Sequence, residues 1–258
     1  MCRFLVDDLA ILGHTRDEVQ ERLEKWRDAL ERAGLRISRT KTESMRMNTD
    51  SKDPVELANA ELPDTEKFKY LGSIIDRAGG CYSDVQKRIN NGWGKWKSLT
   101  GVMCDKKMPD RLKGKVYKTV IRPVMMYGSE TWTLRKEERM LAATEMKTLR
   151  WSTGKTKWDK VKNEDTRAKM RVRKIEEKLL GQRMRWYGHV QRRDEDYVGK
   201  AAANITLKGG RKRGRPAKRW IDNVNEDMRF LRITPEDAMD RDLWRKLTCV
   251  ADPRTYLG

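Results

Sequence analysis

Phe4–Leu12 reads FLVDDLAIL, and it sets two adjacent carboxylates, Asp7 and Asp8, inside an apolar run. Burying two ionised carboxylates side by side costs more than burying one, because both lose hydration and each repels the other. Two arrangements remove that cost. Aspartates are good turn formers, so the pair can form a hairpin tip facing water. Alternatively a divalent cation lies between them and converts the repulsion into coordination. In both arrangements the flanking apolar residues are short strands joined by an Asp-Asp turn.

The next segment selects the fold class. Thr15 and Glu18 form a capping-box pattern, and Val19, Leu23, Trp26 and Leu30 then recur as one apolar stripe. Gly34 supplies the stop. Leu35–Ser38 reads as a short strand with Leu35 and Ile37 on one face. Strand, turn, strand, helix, strand is an α+β layer. Residues 48–66, with Pro54 and Pro63, read as a loop or ragged strand pair, and Phe68–Asp76 as a strand containing Gly72. From Ser83 the period becomes helical. Val85, Ile89, Trp93 and Trp96 share a face, while Leu112, Val116 and Val120 mark a helix that starts at Pro109 and bends or ends at Pro123. Glu137–Trp151 and Arg173–Val190 are further helices. Tryptophan follows arginine at Arg150-Trp151, Arg185-Trp186 and Arg219-Trp220, a pattern expected of core anchors beside a surface charge. His189 reads as a surface or packing residue.

Charge separates the two ends of the chain. The 258 residues carry a formal net charge of +19, but residues 1–66 hold 11 Lys and Arg against 15 Asp and Glu. Residues 67–258 hold 47 against 24, a net of +23. A cationic body of that size repels itself, which makes a polyanion its natural partner. Cys2, Cys81, Cys104 and Cys249 are far apart, with only His14 and His189 as further soft ligands, so neither a zinc spacing nor a disulfide framework is expected. No apolar stretch is long enough to cross a bilayer. The expected setting is intracellular, in nucleus, cytoplasm or both, without a membrane partner.

Six blocks in this order, LVDDLAILGHTRDEV, AGLRISRTKTE, FKYLGSIID, LKGKVYKTVIRPVMMYGSETW, RMRWYGHVQRR and GRKRGRPAKRW, make the chain resemble a known family. It is similar to the C-terminal part of a non-LTR retrotransposon endonuclease–reverse transcriptase, an RNA-directed DNA polymerase. The resemblance implies an α+β chain in three parts. Residues 1–82 would be a partial polymerase palm, with the Asp-Asp hairpin, one helix and short strands. Residues 83–150 would be a mainly helical thumb, and 151–258 a basic helical extension. It further implies that Asp7 and Asp8 are catalytic and hold Mg²⁺ in the complete enzyme, where two such ions activate the primer 3′-hydroxyl and stabilise departing pyrophosphate. Lys41 matches a lysine that would neutralise that leaving group. Tyr70, Leu71 and Gly72 match the turn that grips the primer end. RNA template, DNA primer or target, and dNTP would be the partners of the complete enzyme.

Two positions depart from the family. Leu5 stands where the family prefers Tyr or Phe. Six residues precede Asp7, so the further aspartate of an earlier palm strand and the fingers are not expected here, and the chain is expected to be inactive alone. A second reading rests on the basic segment, where Lys208, Arg211, Lys212, Arg213, Arg215, Lys218 and Arg219 occur with no acid between them. Arg213-Gly214-Arg215-Pro216 resembles an AT-hook, whose arginines enter a narrow A·T minor groove. General phosphate binding and nuclear import are the other uses of such a run. In that reading the chain binds nucleic acid without catalysis.

Overall fold

The computed structural model describes residues 2–5, 8–47, 49, 51–203 and 218–253, with the backbone alone at 2–5 and 8. These residues form helices and short antiparallel strands, the mixture expected of an α+β chain, in two compact units, Met1–Asp84 and Val85–Gly258.

The first unit opens with β1 (Cys2–Leu5) and β2 (Asp8–Ile11), paired antiparallel with Phe4 opposite Leu9 and Leu5 opposite Asp8. Helix α1 (Arg16–Arg32) follows. Thr15 caps it by accepting from the Glu18 N–H at 3.2 Å, but the Glu18 carboxylate reaches past the cap residue to the His14 N–H at 2.7 Å. The helix stops at Gly34, whose φ of 75° lets the Leu35 N–H return to the Leu30 carbonyl at 2.9 Å.

Leu35–Ser38 is not a strand. It has no ladder partner, Leu35 is exposed, and a 3₁₀ turn, Arg39–Lys41, follows directly. Of the two readings of residues 48–66 the strand pair holds, as a short hairpin, and a second hairpin replaces the expected single strand. Ala58 and Asn59, both at positive φ, join β3 (Glu56–Leu57) to β4 (Ala60–Glu61). Leu71 and Gly72, at φ 48° and 83°, join β5 (Lys67–Tyr70) to β6 (Ser73–Asp76). Two consecutive positive φ values match the right-handed twist of the flanking strands and reverse the chain in two residues. One continuous strand through Gly72 is therefore excluded.

The core of this unit comes mostly from the stretch that reads as polar. Val55, Leu57 and Leu62 bury against Leu23, with Ile11, Val19 and Ile37 packed around them. The Gln20 amide fixes the helix to the hairpin edge, donating to the Glu56 carbonyl at 2.8 Å and accepting from its N–H at 2.9 Å. Ile11 ties the Asp8-bearing strand into the same cluster, so α1 backs that strand.

The division between units falls in the first turn of α2 (Tyr82–Ser98). The second unit continues with α3 (Thr100–Met103), α4 (Asp110–Val116), α5 (Arg122–Met126), α6 (Lys136–Ser152) and α7 (Asn163–Met170). Then come α8 (Ile175–Gln191), α9 (Val198–Ala203), α10 (Trp220–Leu231) and α11 (Arg241–Thr248). Pro123 has no N–H to give the preceding turn, and the chain passes it through a π turn, Tyr117–Ile121, where the Arg122 N–H reaches back to Tyr117.

The buried stripe here is Lys113, Gly114, Tyr117, Ile121 and Met125, not Leu112, Val116 and Val120; Leu112 is exposed. The stripe was hidden because it includes a lysine and a glycine. Lys113 is buried with its ammonium donating to the Ser152 carbonyl at 2.7 Å, and Gly114 lies against the backbone of Met170. A second cluster joins α8, α10 and α11 through Met184, Tyr187, Val224, Met228 and Trp244. No helix among the described residues is long and apolar enough to cross a membrane.

Candidate nucleic-acid interface

Asp8 opens β2 directly opposite Leu5. Asp7 lies outside the described residues, and only the backbone of Asp8 is described. Among the described residues no three of Asp, Glu, His or Cys come together to hold a metal ion. The two carboxylates expected to hold Mg²⁺ are not among the described side chains, so that expectation stands on the sequence of the Asp-Asp pair alone.

Lys41 ends the exposed 3₁₀ turn after α1. Tyr70, Leu71 and Gly72 come together at one hairpin tip, Tyr70 closing β5 and the other two forming the turn. Leu71 is 40 % exposed in a left-handed conformation. That conformation costs a residue with a Cβ roughly 1–2 kcal/mol, and here little burial offsets it. Asparagine would suit the turn better, so packing does not explain the leucine.

Lys208, Arg211, Lys212, Arg213 and Arg215 lie outside the described residues. Lys218 and Arg219 immediately precede α10, and both are engaged by its acids. Lys218 pairs with Glu226. Asp222 accepts from the Arg219 N–H at 2.8 Å and from its guanidinium at 3.0 Å, which holds the Asp222 carboxyl below its usual range.

Part of the positive charge is structural. Arg122 makes a two-pronged pair with Asp252, one contact at 2.9 Å, and Asp252 also accepts from the Arg173 N–H at 3.0 Å. Burial works against ionisation of Asp252, but those donors outweigh it and hold its pKa below the ordinary carboxylate value. The pair lies beside a cleft of about 250 Å³ lined by Lys118, Arg122, Lys178 and Arg185. Arg183 pairs with Asp227 at 2.6 Å. Burial raises the Asp227 pKa more than Arg183 lowers it.

Sequence reasoning missed Glu145. It is fully buried and accepts from Tyr117 Oη at 3.1 Å, Arg167 Nε at 3.2 Å and the Ile175 N–H at 3.2 Å. Burial pushes its pKa up to about 7 despite the Arg167 guanidinium and the other two donors. This knot ties the π turn, α6, α7 and the start of α8 together.

The Arg-Trp tryptophans lie at the margins of the core rather than within it. Trp151 is 48 % exposed, with its ring 5.3 Å from Trp93 and 5.5 Å from Trp96. Trp186 stacks on His189 at 5.3 Å, and Trp220 donates from Nε1 to the Glu130 carbonyl at 2.7 Å. His189 is a packing residue, as expected. Burial, then Arg193, Arg192 and Arg241, lower its pKa.

No family model matches the chain, and no solved structure matches it. It is 23 % identical to a Caenorhabditis elegans protein whose name describes it as transposon-derived and uncharacterized; the similarity covers 98 % of this chain and 92 % of that protein. The similarity thus includes both units, and it points to a transposon origin for the chain as a whole.

Proposed function

We propose that the chain is the C-terminal part of a non-LTR retrotransposon reverse transcriptase: the end of a polymerase palm, a helical thumb and a basic extension that binds template and primer or target. One observation carries this reading. Asp8 is in an antiparallel hairpin, opposite Leu5, and that hairpin is anchored through Ile11 to the core under α1. A carboxylate carried on a strand anchored to the core suits phosphoryl transfer through two cations, which needs its metal ligands held in place. Three further features agree with it: the strained, exposed Leu71 at the tip matching the primer grip, the net charge of +23 on residues 67–258, and the full-length similarity to a transposon-derived protein. Asp7 and Asp8 would hold Mg²⁺, Lys41 would meet the leaving pyrophosphate, and Tyr70–Gly72 would hold the primer end.

Primer extension tests the reading. The chain, joined to an upstream palm and fingers, is given a primed RNA template, dNTPs and Mg²⁺. Extension is expected, and Asp7→Ala should reduce it at least 100-fold while leaving template binding within about two-fold. Undiminished extension by the variant would remove the Asp-Asp pair from the chemistry.

A further inference from the structure

Trp158 leaves 90 % of its surface in water. A tryptophan ordinarily hides most of its large ring, so an indole left this open is informative. It is not on a loose end. It belongs to a 3₁₀ turn, Lys157–Asp159, capped by Thr156. Thr156 Oγ1 accepts from the Trp158 N–H at 3.2 Å, while the Asp159 carboxylate accepts from the Thr156 N–H at 2.6 Å and its hydroxyl at 2.8 Å.

Both ends of the surrounding loop are fastened to one residue of α6. The Lys155 N–H donates to the Arg150 carbonyl at 2.8 Å. The Arg150 guanidinium in turn donates to the Val161 carbonyl at 3.2 Å and to Asn163 Oδ1 at 2.7 Å. The loop backbone is thus held in place while its largest apolar side chain packs on little. Lys155, Lys157, Lys160 and Lys162 surround that ring in sequence, and all four are exposed. The single acid among them, Asp159, is already occupied by Thr156.

We propose that Trp158 is a stacking platform for an unpaired base of single-stranded nucleic acid, with these four lysines meeting the adjoining phosphates. The proposal rests on the nucleic-acid reading above and narrows its ligand to strands with free base faces. An indole face stacks on any base and is indifferent to sequence, but in a duplex both faces of each base are covered. The lysines supply the sequence-independent attraction that brings the strand to the ring. A fixed loop leaves little ordering cost at the moment of binding.

The test uses the full chain, a fluorescently labelled oligo(dT) strand and a labelled duplex, followed by anisotropy at low salt. Trp158→Ala should weaken single-strand binding roughly 5- to 100-fold and leave duplex binding within about two-fold. Trp158→Phe, which keeps an aromatic face, should recover most of the loss. Unchanged single-strand binding by the alanine variant would overturn the platform while leaving nucleic-acid binding intact. Equal weakening on both ligands would also overturn it, because stacking cannot serve a closed duplex. A wild-type chain that binds neither ligand would overturn the nucleic-acid reading itself.

Discussion

Glu145 illustrates how one side chain can set a pH dependence that its neighbours in sequence do not announce. Its folded pKa of about 7 stands above the ordinary value of 4.5, because a fully buried carboxyl loses hydration that Arg167, Tyr117 and the Ile175 N–H only partly replace. Between those two values the folded chain holds a proton that the unfolded chain has released. Stability from this group is therefore complete below about pH 4.5, declines as pH rises toward 7, and is flat above it. Unfolding free energies of wild type and Glu145→Gln from urea titrations at pH 5 to 8 should differ by an amount that shifts in favour of the variant by up to about 3 kcal/mol. A difference that stays constant over the range would mean that Glu145 is ionised throughout. The residue was not legible in the sequence, since a glutamate in an amphipathic helix ordinarily faces water. Its side-chain partners Tyr117 and Arg167 lie 28 and 22 residues away. The Asp-Asp pair, by contrast, is singled out by its immediate sequence neighbours, an apolar run on either side.

Among the elements, helices with an uninterrupted apolar stripe could be read directly, whereas helices that use glycine or lysine inside the stripe could not be oriented. In α1, Val19 and Leu23 face the core as their spacing requires. In α4 the apolar residues Leu112 and Val116 were the visible signal, yet the face that packs is Lys113 and Gly114, where a close backbone crossing has replaced side-chain contact. The strand pair at β3–β4 was among the readings of its stretch, but its part in the core was hidden. Val55, Leu57 and Leu62 are too few and too widely spread among polar neighbours to mark a core. The crossing of α4 with α7 gives a sharp expectation. A methyl group on Gly114 would lie 1.8 Å from the Met170 carbonyl oxygen, and backbone cannot swing aside as a side chain can. Gly114→Ala should cost about 3 kcal/mol or more, lowering the thermal midpoint by roughly 10 °C. Gly94→Ala is the matched control, in the exposed middle of α2 with nothing within 4 Å of the new methyl. It should instead stabilise by about 0.5–1 kcal/mol through helix propensity. If both variants melted alike in calorimetry, the tight crossing would not exist in solution.

For the whole molecule the decisive quantity is how much of its charge a nucleic acid can use. The expectation of a polyanion partner came from composition, which cannot separate surface cations from structural ones. Lys113, Arg122, Arg167 and Arg183 are all buried, and each is committed to an internal acceptor: the Ser152 carbonyl, Asp252, Glu145 and Asp227. Removing any of them from its acceptor would strand a buried partner, so they do not neutralise phosphates. Lys218 and Arg219 are partly spent on Glu226 and Asp222. The segment just before them holds Arg211, Lys212, Arg213 and Arg215 with no acid among them. Each phosphate neutralised on duplex DNA steepens the log–log dependence of affinity on salt by about 0.9, through release of condensed counterions. Replacing those four residues together by alanine should therefore make the slope shallower by roughly 3 to 4 and weaken A·T-rich and G·C-rich duplexes alike. Replacing Lys218 and Arg219 together should change it by less than about 1, since their charge is partly met by Glu226 and Asp222. Anisotropy titrations of both duplexes across a salt series read these slopes directly. Loss of A·T-rich binding alone would reveal a minor-groove hook at Arg213–Pro216, and an unchanged slope in the fourfold variant would move the phosphate contacts elsewhere on the second unit.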